Sequence, residues 1–166
     1  MRILLSNQHR LTISLAKEDI IESPVRETKI GPAKEIESRG FTRAKRIKIV
    51  IVEDIEDLIN LYRTVLSSHG YEVQYCFESG EEVIQAATQG RLMETRIVIM
   101  DYRLKQVNGM EAAKALLKYH PGLSIVIASA DESINDEAVG IGFVYLRKPF
   151  TMDELLNSVK RAADSL

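Results

Sequence analysis

Four short apolar-rich runs in this 166-residue chain each end on a side chain able to do chemistry. Ile47 to Val52 ends on Glu53-Asp54, and Arg96 to Met100 ends on Asp101. Leu123 to Ala128 ends on Ser129, and Phe143 to Arg147 ends on Lys148-Pro149. Three carboxylates brought to one place would repel, so such a group needs a cation or a raised pKa. Oxygen ligands that leave room for water suit Mg²⁺. The reaction that fits is phosphoryl transfer onto a carboxylate, with Asp101 as the nucleophile that becomes an aspartyl phosphate. Mg²⁺ held by Asp54, Asp101 and a backbone carbonyl would neutralise the transferring oxygens. Lys148 and Ser129 would bind the remaining ones.

Each signal alone has a plainer reading. An acidic pair after a strand can be helix N-terminal charge, and Asp101 can be an Asx-turn residue. Lys148-Pro149 can simply end a strand. Their recurrence at four successive run ends is what carries the chemistry.

The elements that must position them follow from periodicity. Apolar runs without alternation read as strands covered on both faces, as in a parallel sheet. Tyr71 to Tyr75 alternates apolar and polar, which suits a half-exposed edge strand. Ile55, Leu58, Ile59, Tyr62, Val65 and Leu66 fall on one face of a helix that stops at His69-Gly70. Ser79-Gly80-Glu81-Glu82 and Thr151-Met152-Asp153-Glu154 read as capping boxes, and Asn108 to Glu111 as a further helix start. Asp131 to Gly140 is a short acidic helix, and the last helix places Leu155, Val159 and Ala162 on one face. Five strands alternating with five helices over roughly 120 residues predict an α/β fold. With the alternating strand at an edge, the expected architecture is a flavodoxin-like, doubly wound, three-layer sandwich with parallel strand order 2-1-3-4-5. Its chemistry lies where the strands end.

Residues 47–166 form this domain, and residues 1–46 read as a separate extension. There, Leu11 to Leu15 alternates like a short strand and Ala16 to Ile21 could turn helically. Pro24, Gly31, Pro32 and Gly40 break every longer run, so the segment is expected to be flexible with one short element. The extension carries ten Lys/Arg against six Asp/Glu (+4) and the remainder twelve against eighteen (−6), which sum to the net −2. The acidic body argues against a dedicated nucleic-acid-binding domain, while the basic extension leaves an electrostatic option open. No apolar run is long enough to cross a bilayer. A single cysteine, Cys76, excludes an internal disulfide and fits a cytoplasmic setting.

Residues 47–165 resemble the receiver domain of two-component response regulators. The matching pieces are Ile51-Val52-Glu53-Asp54, Ile99-Met100-Asp101 with Gly109-Met110-Glu111, Ser129-Ala130, and Tyr145-Leu146-Arg147-Lys148-Pro149-Phe150; the eight-residue step from Asp101 to Gly109 is the family's own. The resemblance implies that Asp101 takes a phosphoryl group from a sensor histidine kinase or phosphotransfer protein. It further implies that Asp54 ligates Mg²⁺ directly, Glu53 through water and Arg103 by its backbone carbonyl. Ser129 and Tyr145 would form the switch pair, shifting a pre-existing equilibrium. The chain would not be an enzyme beyond its own phosphorylation and dephosphorylation. With no output domain after the last helix, it is expected to be a stand-alone receiver whose downstream target the sequence does not name.

Several positions depart from the family pattern. Glu53 stands where Asp is commoner, and Lys105 where proline is usual, which would loosen the loop after Asp101. Arg103 and Asp131 occupy positions that tune phosphate lifetime. The 19-residue interval from Ser129 to Lys148 is short for the family, and the loss falls on the fourth helix. The alternatives are a non-phosphorylated receiver-like interaction domain, a flavin binder, and an aspartate-nucleophile phosphohydrolase. The last wants a second Asp two residues after the nucleophile, where this chain has Arg103.

Overall fold

The computed structural model describes residues 46–166, together with the backbone of two short strands nearer the N-terminus. Those strands, β1 (Ile3–Leu5) and β2 (Leu11–Ile13), pair antiparallel. The alternating run at Leu11 is thus a strand over its first three residues. Its partner, Ile3–Leu5, is too short to announce itself as a strand in the sequence. The helical turn expected at Ala16 to Ile21 lies outside the described residues.

The main domain runs β3 (Lys48–Val52), α1 (Glu56–Ser68), β4 (Glu72–Phe77), α2 (Gly80–Thr88), β5 (Ile97–Asp101) and α3 (Gly109–Tyr119). It continues through β6 (Ser124–Ser129), a 3-10 turn (Glu132–Ile134), α4 (Asn135–Ile141), β7 (Val144–Arg147) and α5 (Met152–Asp164). Its five strands are parallel in the order β4-β3-β5-β6-β7, which is the expected 2-1-3-4-5. Strand side chains alternate between faces, and both faces are apolar. Val50, Val52, Val98 and Met100 pack beneath α2 and α3, with Ala112, Ala113 and Leu116. Ile49, Ile51, Ile97 and Ile99 pack beneath α1 and α5, with Leu58, Tyr62, Leu155 and Val159. The core is therefore two apolar layers split by the sheet, and every strand end opens onto one rim.

β4 lies at the edge, as its alternation predicts, but the alternation does not survive along its length. Ile49 faces Val73 while Val50 faces Tyr75, so Gln74 is an extra residue in the ladder. A bulge of one residue reverses which face the following side chains take. Val73 packs toward α1 and α5, whereas Tyr75 and Phe77 pack toward α2 and α3. The polar Gln74 is held by a bond to its side chain from the hydroxyl of Thr95, which is fully buried.

The caps follow the sequence with one change. At Thr151 the box closes both ways: Glu154 N–H donates to Thr151 Oγ1 at 3.2 Å and Thr151 N–H donates to Glu154 Oε2 at 2.6 Å. At Ser79 only half of it forms. Glu82 N–H donates to Ser79 Oγ, but Glu82 Oε2 accepts from the N–H of Glu78, one residue early. Asn108 caps α3 by accepting from Glu111 N–H at 2.9 Å. α4 is short, at seven residues, and ends on Gly142 in the left-handed region at φ +93°.

The start of α3 sits directly on the end of β5. A Cβ built on Gly109 would lie 2.0 Å from the carbonyl oxygen of Asp101, and Gly109 N–H donates to the carbonyl of Tyr102 at 2.9 Å. Only glycine permits this approach, because the nearest obstructing atoms, the carbonyl O and C of Asp101, are backbone. Gly109→Ala is expected to destabilise the domain by about 2–3 kcal/mol, read as a lower urea midpoint. An unchanged midpoint would mean that the loop after Asp101 is not clamped in this way.

Candidate functional site

The sheet delivers all four strand ends to one place. Glu53 follows β3, Asp101 closes β5, Ser129 closes β6, and Lys148 follows β7. Backbone bonds fix their relative heights: Lys148 N–H donates to Ser129 C=O at 2.7 Å, Tyr102 N–H to Ala128 C=O at 2.9 Å, and Glu53 N–H to Phe77 C=O at 3.0 Å. The Lys148-Pro149 bond is cis.

Lys148 is the hub. Its Nζ lies 2.9 Å from Glu53 Oε2 and 3.0 Å from Asp101 Oδ1, donating to both. Glu53 is 1% exposed and Asp101 7%. Burial pushes the Glu53 carboxyl up to about 7; Lys148 opposes this and the neighbouring Asp101 adds to it. Burial alone would lower the Lys148 ammonium, but Asp101 and Glu53 together hold it above its ordinary value. Glu53, expected to reach the ion through water, is also paired directly with Lys148.

Glu53, Asp54 and Asp101 each offer a carboxylate oxygen, and the three oxygens lie within 4.8 Å of one another. The second oxygen of Glu53, Oε1, is buried with no hydrogen-bond partner among the described residues. Three oxygen donors with one left unsatisfied, beside solvent at Asp54, suit a hard divalent cation that keeps part of its water shell. The donor set therefore fits Mg²⁺.

Ser129 and Tyr145 meet on the same loop. Asp131 N–H donates to Ser129 Oγ at 3.0 Å, so the hydroxyl is engaged with its own turn. The Tyr145 hydroxyl shares its proton between the carbonyls of Asp131 at 3.1 Å and Ser129 at 3.2 Å. Asp131 takes two bonds from Ser133, from Oγ at 2.6 Å and N–H at 3.0 Å. These bonds, helped by the charge of Arg103, hold its carboxyl below the usual range.

Two residues near the site carried no chemistry in the sequence reading. Tyr62 read only as part of the apolar face of α1; its ring packs against Phe150 at 5.9 Å between centroids, and its hydroxyl is buried without a partner among the described residues. Burial and the charges of Glu53 and Asp101 push that phenol up. A phenol on the buried face of a helix that follows an acidic pair was the available signal. Lys105 read only as a missing proline, yet its Nζ lies 3.6 Å from Asp54 Oδ2.

With this geometry in hand, similarity to known proteins is informative. The sequence model described as "Response regulator receiver domain" matches residues 49–160. The chain belongs to that family. Among curated relatives, the uncharacterized transcriptional regulatory protein YcbL of Bacillus subtilis is 31% identical over 116 residues, covering 68% of this chain and 49% of that protein. The chain thus spans about half the length of such relatives. Among solved structures, the signal receiver domain of a modulated diguanylate cyclase from Desulfovibrio desulfuricans matches with TM-score 0.61 and 29% identity. That match covers 72% of this chain and 95% of that one. The chemotaxis protein CheY4 of Vibrio cholerae has the same fold at TM-score 0.61 and 23% identity, covering 70% of this chain and 98% of that one. The chain is thus a receiver domain of the two-component type, a signalling module. None of the helices among the described residues is long and apolar enough to cross a membrane.

The buried Glu53 gives this site a pH signature in the metal-free protein. Its carboxyl titrates near 4.5 when unfolded and at about 7 when folded, so between these values the folded state holds more protons. Stability contributed by Glu53 therefore falls as pH rises from about 4.5 to about 7 and is flat above that. Glu53→Gln is expected to remove this component, worth at most about 3 kcal/mol. Urea midpoints of wild type and variant across that range check it; parallel curves would contradict it.

Proposed function

We propose that this receiver accepts a phosphoryl group on Asp101 from the phosphohistidine of a sensor histidine kinase or a phosphotransfer protein. The observation that carries the reading is the convergence of Glu53, Asp54, Asp101 and Lys148 at one rim, with Lys148 Nζ 3.0 Å from Asp101 Oδ1. A carboxylate oxygen of Asp101 attacks phosphorus, a P–O bond forms as the P–N bond to the donor imidazole breaks, and the imidazole leaves with its electron pair. Asp54 and Asp101, with Glu53 through water and the carbonyl of Arg103, would hold Mg²⁺, which would supply countercharge to the phosphoryl oxygens.

The chain's own residues do the rest. Lys148 is already within reach of Asp101 and can turn one N–H toward a phosphoryl oxygen while keeping Glu53. Ser129 sits one strand away with its hydroxyl on the N–H of Asp131. A phosphoryl oxygen on Asp101 would accept a hydrogen bond from the Ser129 O–H, and moving that hydroxyl toward it would pull on the bond from Asp131 N–H and alter the carbonyls that hold Tyr145. In this reading Ser129 and Tyr145 switch together, biasing two arrangements of the Ser129–Asp131 loop. The downstream partner is a protein that distinguishes them. The residues of the site weigh against a non-phosphorylated interaction domain, since each chemical position is filled. Arg103 stands where a phosphohydrolase would need its second acid.

The test is incubation of the protein with MgCl₂ and a small phosphodonor such as phosphoramidate, followed by intact-mass measurement. Wild type is expected to gain one phosphoryl group that is lost on chelation-free standing, and Asp101→Asn to gain none. Equal modification of both proteins, or none in wild type over a range of Mg²⁺, contradicts the reading.

A further inference from the structure

The three carboxylates of the site are matched by two ammonium groups of different character. Lys148 is buried and fixed between Glu53 and Asp101. Asp54 faces Lys105 instead, at 3.6 Å from Nζ to Oδ2, with the Lys105 side chain 78% exposed and that of Asp54 23%. That separation is an ion pair and too long for a hydrogen bond, so it is easily broken. The next residue, Gln106, takes a left-handed conformation at φ +64°, where non-glycine residues are uncommon, and the chain turns sharply beside the site.

Resting on the reading of the acidic cluster as a divalent-cation site, we infer that Lys105 is a tethered competitor for that cation and sets its affinity. An arriving ion of charge +2 must displace an ammonium from Asp54. Lys148 is held by burial and two carboxylates, so Lys105 is the group that yields. After yielding it remains on the loop between Asp101 and Gly109, and its charge still opposes the ion across solvent. The effect is therefore moderate and sensitive to salt, because Lys105 is exposed. Family resemblance places proline here; this chain carries a positive charge in its place, which tunes the site toward weaker metal binding.

The experiment is calorimetric titration of the full chain with MgCl₂ at low ionic strength. Lys105→Ala is expected to bind Mg²⁺ about three- to fivefold more tightly than wild type. Lys105→Arg keeps the charge and should match wild type. Lys118→Ala, an exposed position on α3 that alters net charge equally, should also match. Raising KCl to roughly 0.5 M should shrink the Lys105→Ala effect to less than about twofold. Equal affinities for wild type and Lys105→Ala at low salt, or an equal gain in Lys118→Ala, overturn the role of Lys105 while leaving the metal site standing. Absence of Mg²⁺ binding in both wild type and Lys105→Ala overturns the inference together with the metal site.

Discussion

Two carboxylates and one ammonium are held almost out of water at the end of a parallel sheet, and the site depends on their balance. Glu53 and Asp101 both spend an oxygen on Lys148. An ion pair taken out of water loses hydration that its Coulomb attraction returns only when geometry and further hydrogen bonds are favourable. Here the balance is incomplete: the pair of acids outnumbers its partner, and one oxygen of Glu53 has no donor among the described residues. Burial, with the charge of Asp101 adding to it, accordingly raises the Glu53 carboxyl. A group in this condition would gain from a divalent cation, and under the proposed function the ammonium fixed beside Asp101 would help it take up an anionic phosphoryl group. The fold produces the deficit directly, because β3, β5 and β7 must all end at the same rim to bring these residues together.

The loop that carries Ser129 is held differently, by short-range hydrogen bonds. The Ser129 hydroxyl, the Tyr145 hydroxyl and the Asp131 carboxylate all serve to fix one turn between β6 and α4. Each such bond contributes about 1 kcal/mol net, so the turn is definite without being rigid. Asp101 lies on the neighbouring strand, β5, so a change in its charge falls close to this turn. The short α4 that follows keeps only Ala138 fully buried, which leaves this part of the domain with the thinnest apolar anchorage of any helix in the sheet's two layers.

Much of this was legible because burial leaves a plain mark on sequence. Ile49 to Val52, Ile97 to Met100 and Ile125 to Ala128 are continuous apolar runs since both faces of each strand are covered. The residue that ends each run is therefore already assigned to the rim. What was not legible depends on geometry finer than a period of two. The extra residue at Gln74 reverses the faces of Tyr75 and Phe77, and nothing in an alternating run announces a bulge. Glu82 satisfies Glu78 N–H where a reciprocal box would satisfy Ser79. Direct pairing of Glu53 with Lys148 spans 95 residues of chain, and the extra methylene of Glu over Asp suggested a change without giving its partner. The reach of Lys105 to Asp54 is likewise a property of loop shape. Residues 14–45, where a flexible extension is expected, lie outside the described residues.

The central claim is that the phosphoryl group resides on one particular carboxylate, and the most direct measurement is to find it there. The protein, exposed to MgCl₂ and phosphoramidate, is reduced with borohydride, which converts an acyl phosphate to the corresponding alcohol, and is then digested for tandem mass spectrometry. The account predicts homoserine at position 101 and at no other aspartate. A modified Asp54, a reduced glutamate, or phosphate surviving on a hydroxyl or imidazole with Asp101 intact would contradict it.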